Sequence, residues 1–169
     1  MDALEDCREI QYILTLQETV AAGMAEGYAR MTHGPAVLNL HTNVGLAAAL
    51  PLISNAFQGK VPLIVTAGQQ DTRLLSQEPA MGGNLVEIAA PFTKWAAELT
   101  RAEDIPLLLY RAFKIALHPP QGPVFLSLPQ NLLGQQIEFD YQPVLREGVC
   151  LFPDPAAVRR AVTLLLEAR

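Results

Sequence analysis

Two side chains that can carry protons follow short apolar runs of the sequence, where a strand would give way to a helix. Glu18 follows the run at residues 10–16, and His41 follows the run at residues 36–40. Carboxylate and imidazole groups transfer protons in many enzyme sites, and α/β sheets bind ligands at the carboxyl ends of their strands. The two positions are compatible with a site for acid–base chemistry, although position alone favours a simpler structural role for Glu18. The simpler alternatives are a first-turn glutamate favoured by the helix dipole and a histidine hydrogen-bonded near the next helix.

The predicted elements that would position these side chains alternate between strand and helix. Predicted strands cover residues 10–16, 36–40, 61–67, 93–99 and 124–128, and predicted helices cover residues 18–32, 44–58, 84–90 and 103–117. The strands are apolar and β-branched without alternation, which is typical of a parallel sheet covered on both faces. The pattern predicts an α/β fold with a doubly wound, mostly parallel sheet.

Local signals refine these bounds. Asn43 is expected to cap the second helix, and Pro51 allows a kink or a break within it. Residues 68–83 form a polar loop of a length that indicates a functional role. The pair Asp154-Pro155 predicts the start of a final amphipathic helix over residues 156–169.

Composition indicates a globular chain and argues against several classes of function. Half of the 169 residues are hydrophobic, 17% are charged and the formal net charge is −5, which is unlike a disordered chain. The acidic balance, without a basic cluster along the sequence, argues against nucleic-acid binding. No apolar run is long enough to cross a membrane, and the acidic N-terminus is unlike a secretory signal. We therefore expect a cytoplasmic protein, with Cys7 and Cys150 as free thiols because their spacing fits neither a metal site nor a disulfide framework.

Four segments, taken in order, resemble the thiamine-diphosphate-dependent enzymes of the decarboxylase and acetolactate-synthase group. They are Leu16-Gln17-Glu18 with residues 23–30, then residues 39–42, 62–70 and 121–129. Gln17 and the Asn39-Leu40-His41 run point most closely to benzoylformate decarboxylase. The resemblance extends from about residue 10 to residue 129, and it implies the fold of the pyrimidine-binding domain of these enzymes.

The resemblance implies roles for individual residues. Glu18 would hydrogen-bond to N1′ of the aminopyrimidine of thiamine diphosphate and so promote loss of the proton on C2 of the thiazolium ring. His41 would contact the substrate and donate or accept protons. Gly45 would open the next helix against the cofactor, and Gln70 would lie near the cofactor at a subunit interface, with a plain polar strand end as an equal alternative. The predicted catalytic residues are thus Glu18 and His41, the predicted cofactor-binding residues are Glu18, Gly45 and Gln70, and none of the chain's residues is predicted to bind metal.

The resemblance also implies which parts of the family's enzymes are absent from this chain. In the family, Mg²⁺ and the diphosphate are held by a different domain, and the Gly-Asp-Gly…Asn signature of that domain does not occur in this sequence. The family's first strand and its Gly-x-Pro-Gly turn do not occur either. We therefore expect residues 1–134 to form an N-terminally truncated pyrimidine-binding domain, residues 135–153 a linker and residues 154–169 the start of a central domain.

The implied reaction is decarboxylation of a small-molecule 2-keto acid by a homo-oligomer, a dimer or a tetramer, because such sites lie between subunits. Two alternatives stand beside it. One is an acetolactate-synthase-like carboligase, although those enzymes more often carry a histidine at the position of Gln17. The other is a catalytically inert oligomerisation module, because Gly45-Leu46-Ala47-Ala48 stands where relatives have Gly-x-Gly-Asn.

Overall fold

The computed structural model describes residues 7, 9–138 and 153–168. Within these residues the chain forms six α-helices and four strands. In chain order they are α1 (Glu18–Thr32), β1 (Ala36–Leu40), α2 (Thr42–Gln58), β2 (Leu63–Gln69), α3 (Leu85–Ala89), β3 (Ala96–Glu98), α4 (Ile105–Leu117), β4 (Val124–Pro129), α5 (Gln130–Leu133) and α6 (Pro155–Glu167). Short 3₁₀ turns cover Leu75–Gln77, Ala90–Phe92 and Ala102–Asp104.

The four strands form one parallel sheet in the order β1-β2-β4-β3. Helices α1, α2 and α3 cover one face, where their apolar side chains form the larger core with Leu38 and Phe125. Helix α4 covers the other face, over Ile64 and Leu126. Because both faces of β2 and β4 are covered, these two strands are buried along almost all of their length. The predicted α/β fold with a parallel sheet is therefore confirmed.

Residues 10–16 do not form the predicted strand. Their backbone is irregular, and the side chains of Ile13, Leu14 and Leu16 are exposed. In the described sheet β1 pairs only with β2, and no strand formed by residues 10–16 joins it. Propensity for β-structure reports how well a side chain fits a pleated, half-buried surface. The prediction is wrong because an apolar run without a neighbouring strand has no such surface to join.

Helix α2 starts two residues earlier than predicted. His41 occupies its N-cap and Thr42 begins the helix, so Asn43 lies in the first turn and not at the predicted cap. The Asn43 amide donates instead to the carbonyl oxygen of Gly82, 3.0 Å away, and this bond ties α2 to the loop before α3. The helix continues through Pro51 without a break.

Polar contacts at two levels hold α1 against α2. At the first level, the Thr19 hydroxyl donates to the carbonyl oxygen of Ala48 at 3.0 Å. Farther along, Glu26 is only 5% exposed, and its Oε1 accepts hydrogen bonds from Asn55 Nδ2 at 2.7 Å and from Arg30 Nε at 3.0 Å. A buried carboxylate is tolerated only when it is paired and hydrogen-bonded. The two helices therefore keep one register, which fixes the position of the first turn of α1.

We expect Asn55→Ala to lower the free energy of unfolding by about 1–3 kcal/mol, because the buried Glu26 carboxylate then loses a charge-assisted hydrogen bond. Urea unfolding followed by circular dichroism measures this loss. The control is Gln58→Ala, an exposed position on the same helix, which should stay within about 0.5 kcal/mol of the wild type. Equal stability of the two variants would show that the bond does not hold the helices together.

The last described helix begins as the Asp154-Pro155 pair predicts. The Asp154 carboxylate accepts a hydrogen bond from the backbone N–H of Ala156 at 2.9 Å, which caps α6. The side chains of α6 with a described placement are all exposed. Most of the predicted linker at residues 135–153 lies outside the described residues, as does Cys150, whereas Cys7 is a free thiol.

Candidate functional site

Glu18 lies in the first turn of α1, directly against Gly45 in the first turn of α2. A Cβ atom on Gly45 would lie 3.1 Å from Glu18 Oε1 and 3.2 Å from Glu18 Cγ, which is closer than ordinary van der Waals contact. Glycine therefore permits this close approach, whereas a larger residue would push the Glu18 side chain aside by a few tenths of an ångström. Both helices begin beside the carboxylate, and their dipoles favour negative charge there. Glu18 is half-buried, so its side chain packs against the fold and stays partly accessible from outside.

His41 stands at the carboxyl end of β1 and is exposed. Its carbonyl oxygen accepts a hydrogen bond from the backbone N–H of Gly45 at 2.7 Å. This bond sets His41 and Gly45 one helical turn apart at the start of α2. Glu18, His41 and Gly45, which are three of the four predicted site residues, are therefore gathered around the start of one helix.

Two side chains at the start of α2 carry buried polar atoms without partners. Thr42 has a backbone φ of 49°, which is an outlier for a β-branched residue and costs on the order of 1–3 kcal/mol. Among the described residues, Thr42 Oγ1 and Asn43 Oδ1 are buried and have no hydrogen-bond partner. Such groups call for an explanation in a native structure and concentrate at functional sites. Sequence reasoning missed both atoms, because their burial and the strained φ depend on how α2 packs.

Gln70, the fourth predicted site residue, makes its hydrogen bond within the loop that follows β2. Its Nε2 donates to the carbonyl oxygen of Ala80 at 3.0 Å. The preceding residue, Gln69, is only 3% exposed and donates through Nε2 to the carbonyl oxygen of Gly83 at 2.7 Å. Successive side chains of a strand point to opposite sides. Gln69 is therefore the inward residue at the end of β2, and Gln70 belongs to the loop.

A second polar network lies at the carboxyl ends of β2, β3 and β4. Glu98 Oε2 accepts hydrogen bonds from the Ser127 hydroxyl at 2.8 Å and from Gln69 Nε2 at 3.3 Å. Glu98 also lines a cavity of about 650 Å³, together with Asn84 and residues of the 78–83 loop. Sequence reasoning missed this network. The sequence feature that could have revealed this network is Ser127, a fully buried polar residue inside an otherwise apolar strand.

The acidic groups at this edge of the sheet contact separate partners. Glu18 abuts Gly45, whereas Glu98 bonds to Ser127. Within the part of the chain that the structure describes, no group of three or more His, Cys, Asp or Glu side chains is arranged to hold a metal ion. Nor does any helix in that part combine the length and the apolar character needed to cross a bilayer.

The sequence profile of a known family matches the part of the chain that carries Glu18, His41 and Gly45. That family is described as thiamine pyrophosphate enzyme, N-terminal TPP binding domain, and the match covers residues 1–88. The matched residues include α1, β1, α2 and β2. The chain belongs to this family of N-terminal domains, which is named for thiamine pyrophosphate, also called thiamine diphosphate.

Individual relatives come from two kinds of thiamine-diphosphate enzyme. Benzoylformate decarboxylase from Pseudomonas aeruginosa is 35% identical over 124 residues, which are 73% of this chain and 24% of the relative. The acetolactate synthase isozyme 3 large subunit from Escherichia coli is 31% identical over 140 residues, which are 83% of this chain and 24% of the relative. The crystal structure of benzoylformate decarboxylase from Polynucleobacter necessarius superposes with a TM-score of 0.85 at 35% identity, covering 94% of this chain and 30% of that one. The chain thus spans about a quarter of the length of these curated relatives.

Proposed function

We propose that this chain holds the aminopyrimidine ring of thiamine diphosphate, with Glu18 hydrogen-bonded to N1′ of the ring. The observation that carries the proposal is the contact between Glu18 and Gly45, since the missing Cβ atom at residue 45 lets the carboxylate lie against the first turn of α2. The orphaned atoms Thr42 Oγ1 and Asn43 Oδ1 support it, because buried polar atoms normally have partners. Carboxylate, hydroxyl and amide groups suit a flat ring that carries both donor and acceptor nitrogens.

Each site residue has a separate task in this proposal. Glu18 shares a proton with the ring nitrogen N1′, and His41 at the rim gives or takes a proton on the substrate. Gly45 lets the ring approach the start of α2. Gln70, through its bond to Ala80, keeps the loop after β2 in place at the same edge of the sheet. When bound, thiamine diphosphate supplies the nucleophilic carbon and the electron sink that decarboxylation requires.

The proposal places Mg²⁺ and the diphosphate on a different domain of the complete protein, contributed by a second subunit of a homo-oligomer. Residues 1–134 then form the pyrimidine-binding domain, residues 135–153 the linker and residues 154–169 the start of the next domain. Exposed apolar side chains on α1, at Val20, Met24 and Tyr28, support a subunit contact. They recur every four residues and so line one side of the helix, as expected for a surface that another protein covers.

For the complete protein we propose decarboxylation of a 2-keto acid of the benzoylformate type. Gln17, which precedes Glu18, and the Asn39-Leu40-His41 run support this choice over a carboligase. The structural relative at TM-score 0.85 and the decarboxylase at 35% identity support it as well. The acetolactate synthase relative at 31% identity keeps carboligation as the second candidate.

Kinetic assays of the full-length protein, supplied with thiamine diphosphate and Mg²⁺, decide between these two reactions. We expect carbon dioxide release from benzoylformate with a kcat/KM about tenfold or more above that for pyruvate, because a pocket shaped for a ring discriminates against a methyl group by at least this factor. The same assay without thiamine diphosphate is the control. Formation of acetolactate from pyruvate with the higher kcat/KM would contradict the decarboxylase assignment and favour the carboligase.

A further inference from the structure

A second cavity lies at the opposite edge of the sheet, where β1, β2 and β4 begin. Its volume is about 250 Å³, and its lining includes Arg30, His33, Lys60 and Gln121. Arg30 lies in the last turn of α1, His33 and Lys60 follow α1 and α2, and Gln121 precedes β4, so distant parts of the sequence meet there. None of the residues that line this cavity carries a carboxylate.

Arg30 is fixed at the wall of this cavity. Its Nε and Nη2 donate to Glu26 Oε1 at 3.0 Å and 2.6 Å, which leaves Nη1 available. A Cβ atom on Gly59 would collide with the Arg30 guanidinium. Glycine at residue 59 therefore keeps the space that the guanidinium occupies.

Lys60 also lines this cavity, and Lys94 lies close enough to Lys60 for their positive charges to interact. No ion pair in the described part of the chain involves either lysine. Burial lowers the pKa of the Lys94 ammonium, and the charge of Lys60 lowers it further. The Lys94 ammonium is already hydrogen-bonded, because it donates to the carbonyl oxygens of Ile115 and His118. The Lys60 ammonium, at the cavity wall, lies over the Phe57 ring, 5.0 Å from its centroid.

We propose that this cavity binds a small multivalent oxyanion, such as a phosphate group. A guanidinium with a free Nη1, the Lys60 ammonium and the His33 ring can all donate to one anion, and charge-assisted bonds of this kind are the strong ones. The chain as a whole carries a net charge of −5. The positive side chains at this cavity are therefore opposite in sign to the net charge of the chain. The cavity has room for about eight water molecules at about 30 Å³ each, which is enough for a phosphate group with ordered water.

The phosphate group that binds in this cavity could belong to inorganic phosphate or to a phosphomonoester. The test is a titration of the full ¹⁵N-labelled chain with potassium phosphate and, separately, with glycerol 3-phosphate, each against potassium chloride at matched ionic strength. We expect saturable shifts of the backbone amides of residues 59–61 with phosphate. Tighter saturation with glycerol 3-phosphate would identify a phosphorylated metabolite as the natural ligand, and tighter saturation with phosphate would identify the free anion.

Lys60→Gln should weaken phosphate binding about tenfold or more, through the loss of one charge-assisted hydrogen bond. The matched control is Arg101→Gln, which makes the same change in net charge at an exposed residue beyond the carboxyl end of β3. Glu18→Gln should leave phosphate binding unchanged, because Glu18 lies at the other edge of the sheet, and so the test is independent of the proposed cofactor site. Absence of saturable shifts, or an equal loss in the Lys60 and Arg101 variants, would overturn the proposal and leave these cations as partners of the helix C-termini.

Discussion

Glu18→Gln should lower the kcat of the proposed complete thiamine-diphosphate enzyme by about 10²–10⁴-fold, the range that loss of a general acid–base group produces. Glutamine has nearly the same shape as glutamate and can accept a hydrogen bond, but it cannot share a proton with N1′. The contact with Gly45 should survive in this variant, because the side-chain length is unchanged. Steady-state assays with saturating cofactor measure the loss.

The control for this variant is Glu87→Gln. Glu87 also lies in the first turn of a helix, α3, so both substitutions remove the same favourable interaction with a helix dipole, worth about 0.3–1 kcal/mol. Glu87→Gln should leave kcat unchanged, and both variants should unfold at similar denaturant concentrations. If Glu18→Gln retained full activity, Glu18 would be an ordinary first-turn glutamate, as in the simpler interpretation of the sequence.

Gly45→Ala should weaken thiamine-diphosphate binding by about tenfold or more while leaving the fold as stable as before or more stable. The new methyl group would lie 3.1 Å from Glu18 Oε1, so the carboxylate must move away from its position beside the ring. Loss of one charge-assisted hydrogen bond accounts for a change of this size. Alanine is a better helix former than glycine by about 0.5–1 kcal/mol. Calorimetric titration and thermal unfolding of the complete enzyme measure the two opposite effects.

Gly27→Ala is the matched control for Gly45→Ala. Gly27 is also a helical glycine, but a Cβ atom there would meet nothing within 4 Å. This variant should gain a similar helix contribution and keep the affinity of the wild type for thiamine diphosphate. Equal affinities in the Gly45 and Gly27 variants would contradict the placement of the ring beside Gly45.

The sequence predicted the helices and the parallel sheet well because each of these elements has its own periodic or apolar signal. Helix α1 spans the predicted residues 18–32, and β1 spans the predicted residues 36–40. Residues 10–16 show the limit of this reasoning, since their apolar composition suits a strand but says nothing about a partner strand. The sequence also failed to predict the ends of helices that depend on tertiary contacts. Asn43, for example, bonds to Gly82, which is 39 residues away, and so does not cap its own helix.

At the candidate site, the sequence pointed to Glu18, His41 and Gly45 through the family resemblance, and the fold gathers these three residues at the start of α2. The orphaned hydroxyl of Thr42 has no sequence signal, because burial and a positive φ arise only from packing. The cavity lined by Arg30, His33 and Lys60 was likewise not predicted from the sequence. Its residues are spread from Arg30 to Gln121, so no basic run marks it, and composition alone indicated an acidic chain.

Whether Glu18 acts on the aminopyrimidine can be read from the rate at which the C2 proton of thiamine diphosphate exchanges with deuterium. The measurement is quenched-flow exchange followed by proton NMR, on the complete enzyme with Mg²⁺ and without substrate, for the wild type and for Glu18→Gln at saturating cofactor. Exchange should be rapid in the wild type and slower by about 10²-fold or more in the variant, because proton transfer at N1′ then lacks its partner. Equal exchange rates in the two proteins would contradict the claim that Glu18 acts on the aminopyrimidine.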